Sequence, residues 1–384
     1  MDLTLNDEQR LLRESAERFV NEACGAEYRR RAASDPLGFS TEVWKQFAEL
    51  GWLALPIPES HGGLGGGAIE IGLLMEAFGR GLVSEPYLSS VVIGAALVAE
   101  CGSEPQKQAV LPKVADGSLR LAFAHAERAA RFDLADVATT AGKTAQGWRL
   151  QGRKVAVLDG RAADRIIVSA RIHGASDQLG LFLVPAETPG LALTDFARLG
   201  GGRACNLALS NVDLPADALL SGGGDALPKI EAVIDRAMAA MAAEAVGIMQ
   251  TLLERTVEYT KIRQQFGRPL SANQAIRHRL ADMAMQCDEA RSMALRAALM
   301  LDAEPVARAR AASGAKAKIG RCARFVGEQA IQLHGGMGVT EELEIGAYFK
   351  RLVALDTLFG GSAHHYRRHA DLAARAAAQV QTLA

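Results

Sequence analysis

A short segment with the chemistry of a phosphate-binding site lies at the end of a long helical pattern. It reads Arg263-Gln264-Gln265-Phe266-Gly267 and is followed by Pro269, Asn273 and Gln274. The arginine side chain is a planar cation with several hydrogen-bond donors, which suits the oxygens of a phosphate. An arginine on a helix surface is also common as a solvated charge. This segment alone therefore leaves both interpretations open.

A second segment, with the letters QLHGGMGV, begins at Gln332. Its paired glycines, Gly335 and Gly336, would let the backbone approach a ligand closely because they carry no Cβ. The alternative is that they end a helix, a position where glycine is frequent. Taken alone, this segment also leaves both interpretations open.

Among the carboxylates of the C-terminal region, Glu244 is the candidate for a catalytic base. It lies in an otherwise apolar stretch, from Ala239 to Gly247, and a carboxylate in apolar surroundings can serve as a proton acceptor. The alternative is a structural partner for an arginine or a backbone group. For Asp356 we expect a structural or capping role.

Two adjacent histidines, His364 and His365, could suggest a metal site. Adjacent positions on a helix point about 100° apart, however, and no third ligand is spaced to help them. The sequence therefore predicts no metal.

Composition excludes several classes of function. The chain has 384 residues, enough for two or three packed regions. Its 43 basic and 44 acidic residues give a net charge of −1, so no long-range field would hold a nucleic acid. Five cysteines without C-x-x-C spacing disfavour a zinc site or a disulfide framework. The first residues are acidic and no long apolar run follows, so we expect no membrane span and a cytoplasmic location.

The chain divides into helical, extended and helical thirds. From Asn6 onward, a capping box and apolar residues at helical spacing predict a helix. The glycine run from Gly62 to Gly67 follows two prolines rather than a strand, so we interpret it as a connecting loop. Short apolar runs bounded by glycines predict a β-domain or barrel in the middle third. Long helical patterns then return and predict a bundle of antiparallel helices. The predicted domains are residues 1–118, 119–220 and 221–384.

The two segments and this order of elements resemble the acyl-CoA dehydrogenase family, through its R-x-x-F-G and Q-x-x-G-G-x-G signatures. The resemblance covers nearly the whole chain and implies a mainly α fold with a central β-domain. In that fold an α-helical N-terminal domain precedes a β-barrel middle domain and a C-terminal four-helix bundle. It also implies FAD as cofactor, an acyl-CoA substrate and electron-transfer flavoprotein as electron acceptor. In the family, a carboxylate takes the α-proton of the thioester and the flavin accepts the β-hydride.

Within the family, the likeness is closest to the small subunit of pimeloyl-CoA dehydrogenases. The similar segments include Phe78-Gly79-Arg80, Leu121 to Arg128, Asp133 to Ala141 and Asp356 to Gly360. This likeness implies a dicarboxylyl-CoA substrate.

The resemblance implies a set of FAD contacts that reach across a subunit interface. Arg263 would meet the pyrophosphate, and Gln265 and Phe266 would line the adenosine, supported by Asn273 and Gln274. Gln332, Gly336, Ser362 and His364 fall where the family holds the adenine end. Asp235 falls where the family contacts substrate, although the arginine expected three residues later is Met238.

The flavin half of the family site is altered in this sequence. Ala126 and Phe132 stand where the family has a threonine and a serine, and Ala156-Val157-Leu158-Asp159 replaces its W-I-T-N segment. Gly360 occupies the position of the catalytic glutamate. Some members carry the base on the preceding helix instead, but that position here is Ala237. Neither location supplies a carboxylate.

Two hypotheses follow, and we favour the second. In the first, the chain is a self-sufficient, homomeric acyl-CoA dehydrogenase with Glu244 as an unorthodox base. In the second, it is the non-catalytic subunit of a heterotetramer and donates its contacts to an FAD held by a second acyl-CoA dehydrogenase subunit. A flavin oxidase or monooxygenase on the same fold is a third alternative.

Overall fold

The computed structural model describes residues 4–174, 178–220, 224–340 and 343–383. The chain forms two compact units, each built from separate stretches of sequence. Unit 1 comprises Met1–Arg30, Ala68–Val83 and Met238–Ala384, and unit 2 comprises Arg31–Gly67 and Ser84–Ala237. The predicted domain boundary after residue 220 borders residues 221–223, which lie outside the described residues.

Helices fill most of the chain before residue 118. The first begins at the predicted capping box, in which Asn6 and Gln9 exchange two hydrogen bonds between side chain and backbone, of 2.8 and 3.1 Å. Helical spacing predicts a helix around Ser89–Cys101, where the structure has a π-helix followed by α5. The elements are α1 (Asp7–Ala23), α2 (Ala26–Ser34), α3 (Thr41–Glu49), α4 (Ala68–Gly81), the π-helix (Tyr87–Ala95), α5 (Ala96–Cys101) and α6 (Glu104–Ala115).

The glycine run from Gly62 to Gly67 connects the 3₁₀ turn Glu59–His61 to α4, as predicted. At Gly63 a Cβ atom would lie 1.9 Å from the carbonyl oxygen of Ile57. Close backbone packing therefore requires glycine at position 63.

A mixed sheet of seven strands forms the middle of unit 2. β4 lies between β5 on one side and β1 and β2, placed end to end, on the other; β3, β7 and β6 continue the sheet beyond β2. No pairing in the described residues joins β6 to β1 or β5, so the sheet is an open half-barrel. The strands are β1 (Leu121–Ala124), β2 (Thr140–Thr144), β3 (Gly147–Leu158), β4 (Arg165–Ile172), β5 (Leu179–Pro185), β6 (Leu191–Ala197) and β7 (Arg203–Pro215).

One face of this sheet carries the apolar core of unit 2. Trp148 and Phe182 pack edge to face at its centre, with ring centroids 5.3 Å apart. The predicted β-domain is thus held by burial of alternate side chains.

Long helices return after the sheet. A two-stranded hairpin follows the first of them, and the helical segments predicted from the sequence are present. The elements are α7 (Leu227–Ile262), β8 (Gln264–Gln265), β9 (Arg268–Pro269), α8 (Gln274–Leu299), α9 (Pro305–His334), α10 (Ile345–Thr357) and α11 (Ser362–Leu383). In unit 1, α9 packs against α8, α10 and α11. No helix within the described ranges is long and apolar enough to cross a membrane.

Two helices of unit 1, α4 and α7, approach each other until their backbones touch. A Cβ atom on Gly79 would lie 2.1 Å from the carbonyl oxygen of Glu244, and one on Gly247 would lie 1.9 Å from that of Glu76. Because real Cβ atoms do not come so close to a carbonyl, glycine is required at both positions. This contact fixes the position of Glu244 in α7 relative to α4.

We predict that Gly79→Ala lowers the free energy of unfolding by more than about 2 kcal/mol, because the new methyl group meets backbone that cannot move aside. Gly72→Ala, on the same helix, is the matched control. Its Cβ would lie 3.9 Å from that of Ala243, and alanine is the better helix former by about 1 kcal/mol. Urea unfolding of both variants measures the difference. Equal stability of the two variants would contradict the close approach.

Candidate functional site

The R-x-x-F-G segment forms an exposed two-residue hairpin. Phe266 and Gly267 lie at its tip with φ of 52° and 78°, the backbone of a type I′ turn. Positive φ is unfavourable for a bulky residue such as Phe266. No burial of its side chain offsets this cost, because Phe266 is 99% exposed. Arg263 and Gln265 are also exposed. The turn thus holds an aromatic ring and a guanidinium clear of the surface.

Asn273 and Gln274, which follow the hairpin after a short turn, differ in their contacts. Asn273 accepts a hydrogen bond of 2.6 Å from Arg268 and donates one of 3.1 Å to the carbonyl of Leu270. It therefore braces the turn that leads into α8. Gln274 is exposed at the start of that helix.

The structure brings the Gln332–Val339 segment to the same end of unit 1 as the hairpin. Tyr259, in the last turn of α7, stacks on His334, the last residue of α9, with ring centroids 4.3 Å apart. Gln332 and Gly336 are exposed on either side of His334. A Cβ atom on Gly336 would have nothing within 4 Å, so the backbone there is open to a ligand. Arg263, Gln265, Phe266, Gln332 and Gly336 therefore lie at one end of the helices.

Ser362 lies elsewhere, at the corner between α10 and α11. Its hydroxyl donates to Asp356 at 2.8 Å, and a Cβ atom on Gly320 would lie 2.2 Å from the Ser362 oxygen. Asp356 thus has a structural role at this corner, in agreement with the structural or capping role expected for it. Gly320 and Gln332 are twelve residues apart in α9, which is about 18 Å along the helix. One adenine ring cannot contact both Ser362 and Gln332 of the same chain.

Two buried side chains hold this corner. The Lys316 ammonium donates to the carbonyls of Leu355 and Asp356, both at 2.7 Å, and burial lowers the pKa of Lys316 to about 8. His365 makes a hydrogen bond of 3.0 Å with the carbonyl of Phe359 through Nε2. Because a carbonyl only accepts, Nε2 carries the proton. Burial, together with the nearby Lys316 charge, lowers the pKa of His365 to about 3.

The same corner closes the position of the family's glutamate. Gly360 is buried with φ of 110°. A Cβ atom there would lie 2.7 Å from Cδ2 of His364 and 3.0 Å from Nε2 of His365. A glutamate does not fit at position 360 with the corner in this conformation. His364 is half-buried and stands edge to face with His365.

At the flavin-side positions in unit 2, the polar groups turn inward. Lys154 is fully buried, and its ammonium donates to Glu127 at 2.7 Å, Ser169 at 3.0 Å and the carbonyl of His125 at 3.2 Å. Burial lowers the pKa of Lys154 to about 8, and burial and the Lys154 charge lower that of His125 to about 3. This network was not predicted from the sequence, although a lysine at an inward position of an alternating strand is a usable signal.

Most of the neighbouring flavin-side residues have hydrocarbon side chains, whereas Asp159 accepts a hydrogen bond of 2.6 Å from Ser89. Ala126 and Phe132 are exposed, and Leu158 is buried. The amide of Ala156 already donates to Asn206 at 3.1 Å, in a backbone with φ of 52°. Ala126, Phe132, Ala156 and Leu158 carry no hydroxyl of the kind that the family resemblance implies for holding a flavin ring.

Glu244 lies in the buried part of unit 1, 3% exposed. Arg351 of α10 donates to its Oε1 at 2.6 Å, whereas its Oε2 has no hydrogen-bond partner. This is the arginine pairing that the sequence left open, and a catalytic role for Glu244 stays a prediction. Asp235 is fully buried in α7, so it would meet only a substrate that enters the interior. The described part of the chain contains no group of three or more residues able to hold a metal.

Comparison with known proteins places these features in a family. Models of the acyl-CoA dehydrogenase N-terminal, middle and C-terminal domains match residues 6–118, 122–212 and 229–375. A probable acyl-CoA dehydrogenase of Bacillus subtilis, YngJ, is 32% identical over 89% of this chain and 91% of its own length. The chain belongs to the acyl-CoA dehydrogenase family.

Solved structures agree with this assignment. The Tcur3481-Tcur3483 steroid ACAD G363A variant matches with a TM-score of 0.88 and 32% identity, over 98% of this chain and all of that chain. A chain of the ChsE4-ChsE5 complex of Mycobacterium tuberculosis matches with a TM-score of 0.87 and 28% identity, over 97% of this chain and 99% of that chain. The expected fold of an acyl-CoA dehydrogenase is confirmed.

The cofactor of the family is FAD. A glutaryl-CoA dehydrogenase of Mycobacterium smegmatis was solved in complex with FADH2. It is 25% identical to this chain, with a TM-score of 0.86 over 95% of this chain and 94% of that chain. The residues of this family member fit one half of an FAD site. The exposed Arg263 and Phe266 and the open backbone at Gly336 suit a cofactor that is bound mainly by another subunit. The flavin-side positions and Gly360 do not suit the flavin ring and the catalytic glutamate of the family.

We predict that stability falls as the pH drops from 6.5 towards 3, partly through His365. The unfolded chain takes up a proton on this histidine near pH 6.5, whereas the folded chain does so only near pH 3. At pH 5 the loss is about 2 kcal/mol. His365→Gln should remove this part of the pH dependence, because the amide keeps a donor for Phe359 but does not titrate.

Urea unfolding at pH 7 and pH 5 measures the effect. His278→Gln is the control, since His278 is exposed on α8. Equal pH dependence in the wild type and in His365→Gln would show that His365 does not stay neutral in the fold.

Proposed function

We propose that this chain is the non-catalytic subunit of an α₂β₂ acyl-CoA dehydrogenase. It would donate Arg263, Gln265, Phe266, Gln332 and Gly336 to an FAD whose flavin ring and catalytic glutamate belong to a partner subunit. The observation that carries the proposal is the packing of Gly360 against His364 and His365. The chain therefore has neither a carboxylate nor room for one at the family position.

The contrast between the two halves of the FAD site supports this proposal. On the donor side, an entire phenyl ring stands in water on a turn whose backbone is unfavourable for it. Such an arrangement is costly in an isolated chain and useful when the ring meets a ligand or a partner. On the flavin side, polar groups such as Lys154 and Glu127 bond to each other instead. This contrast is what the proposed subunit role predicts: residues that would contact a partner's FAD are present and exposed, whereas the family's contacts to the chain's own flavin are absent from the sequence.

The similar structures also favour a heteromer. ChsE4-ChsE5 is a complex of two named proteins, and Tcur3481-Tcur3483 also joins two names. By analogy, this chain would pair with a second acyl-CoA dehydrogenase subunit. The bound FAD supplies hydride acceptance in such an enzyme, and electron-transfer flavoprotein is the expected acceptor. Arg263 would offset the charge of the FAD pyrophosphate across the interface.

The substrate class is an acyl-CoA that is dehydrogenated between Cα and Cβ. The sequence likeness to pimeloyl-CoA dehydrogenase small subunits favours a dicarboxylyl-CoA, whereas one similar structure is described as a steroid ACAD. A substrate panel should therefore contain both classes and a simple fatty acyl-CoA. Location in the cytoplasm remains part of the proposal.

We predict that the chain produced alone purifies with little FAD and dehydrogenates no acyl-CoA. Coproduced with a homologous subunit that carries the threonine, serine and glutamate of the family, it should form a heterotetramer with about one FAD per αβ pair. In that complex Arg263→Ala should lower the FAD content, because a charge-assisted contact is lost. Absorbance of the released flavin, per mole of protein, is the measurement.

Arg13→Ala is the control, since Arg13 is exposed on α1. A yellow homomer with one FAD per chain and dehydrogenase activity would overturn the proposal. Unchanged FAD content in Arg263→Ala would remove the donor role from this segment.

The self-sufficient enzyme is a second candidate, favoured by the unpartnered Oε2 of Glu244. A buried carboxylate oxygen with no donor is available to take a proton. Glu244→Gln keeps the volume and a hydrogen-bonding group while removing the base. In a self-sufficient enzyme, turnover would fall by several orders of magnitude with the flavin still bound. Because we favour the subunit, we expect Glu244→Gln to leave the turnover of the complex within about tenfold of wild type.

A further inference from the structure

An aromatic stack that neither signature explains joins the ends of α7 and α9. The rings of Tyr259 and His334 lie 4.3 Å apart at an angle of 27°, and the Tyr259 hydroxyl donates to the His334 carbonyl at 3.4 Å. The two residues are 75 positions apart in the sequence. They therefore tie together two helices at the points where these helices end.

The orientation of His334 is fixed by its surroundings. The side chain is 5% exposed, and its Nδ1 forms a hydrogen bond of 2.8 Å with the carbonyl of Ala330. Since a carbonyl only accepts, Nδ1 carries the proton. Burial lowers the pKa of His334, so the ring is neutral near pH 7 and stacks as an aromatic group.

Each partner of the stack leads directly into one of the two signatures. The amide of Arg263 donates to the carbonyl of Tyr259 at 2.8 Å, and that of Leu270 donates to the carbonyl of Arg263 at 2.9 Å. On the other side, Gly335 follows His334 with φ of 62°. A Cβ atom on Gly338 would lie 3.0 Å from that of His334, so the chain turns closely around the histidine.

The hairpin cannot hold its own position. It consists of two residue pairs, Gln264 with Pro269 and Gln265 with Arg268, and a hairpin of this size is not stable alone in water. The Gln265 side chain donates to the adjacent carbonyl of Gln264, at 2.9 Å, and Arg268 donates to Asn273 at 2.6 Å. The hairpin is therefore held at its two flanks, by the last turn of α7, where Tyr259 lies, and by the Arg268–Asn273 bond at the start of α8.

We propose that Tyr259 and His334 are positioning residues that hold the two signatures as one FAD-donating face. The part of this inference that concerns FAD rests on the proposed function. The two residues act through Arg263 and Gln332 and need not touch the cofactor themselves. Removing the stack should loosen both signatures together.

The first experiment uses hydrogen exchange on the chain alone and needs neither FAD nor a partner. Tyr259→Leu should speed exchange at residues 263–270 and 335–340 by about tenfold, the scale of one lost aromatic pair. Tyr259→Phe keeps the ring and should stay near wild type. Tyr366→Leu is the control, because Tyr366 is a tyrosine of α11 whose ring contacts Arg321. Faster exchange in only one of the two segments would overturn the proposal.

The second experiment measures FAD affinity in the coproduced complex by flavin fluorescence. Tyr259→Leu should weaken binding about tenfold at unchanged subunit stoichiometry, and Tyr259→Phe should restore it. Arg263→Ala should cost less in the Tyr259→Leu background than in the wild type, because a displaced arginine has less contact to lose. A purely structural tyrosine would give additive effects. Should Tyr259→Leu fail to fold, His334→Leu tests the stack from the other side.

The outcomes separate the two ideas. If Arg263→Ala weakens FAD binding and Tyr259→Leu does not, the positioning role fails and the donor role stands. If neither variant affects FAD in the complex, the proposed function fails. Hydrogen exchange then still decides whether the stack holds the two segments.

Discussion

The backbone contact between α4 and α7 is the constraint on which the rest of unit 1 depends. With glycine at 79 and 247, the two helices pack without side chains between them. α7 is consequently held tightly along the stretch that carries Glu244, whose ion pair with Arg351 of α10 is made at 2.6 Å. Its far end reaches Tyr259 and, through the stack, the end of α9. Because α7 is held by its contact with α4, its C-terminal end, and the R-x-x-F-G segment that follows this end, have a defined position.

Much of the fold could be predicted from local pattern. The capping box at Asn6, the strands of the middle region and the long helices after them follow from spacing and turn residues, because these signals act over a few positions. The π-helix Tyr87–Ala95 could not be predicted, since helical spacing does not distinguish its register. Lys154 also stood in an alternating strand, but only the fold shows that its three donors are all satisfied inside.

The candidate site was predictable by residue type and less so by position. The family resemblance names Arg263, Gln332 and Ser362 as candidates, yet the sequence cannot tell which of them lie together. Ser362 packs beside Gly320, which lies about 18 Å along α9 from Gln332. The Tyr259–His334 stack places Gln332 near the hairpin instead. That stack links residues 75 positions apart, and no local pattern encodes such a distance. The closure of position 360 by His364 and His365 also depends on a corner built from three helices.

The exposed ring of Phe266 has a consequence for how this protein is made. Transfer of a phenyl side chain out of water is worth about 2 kcal/mol, and the free chain cannot recover it because the turn points the ring outward. In the proposed heteromer that free energy is released only on assembly. Any surplus of this subunit over its partner would leave adhesive tips in solution, which favours synthesis of the two polypeptides in equal amounts.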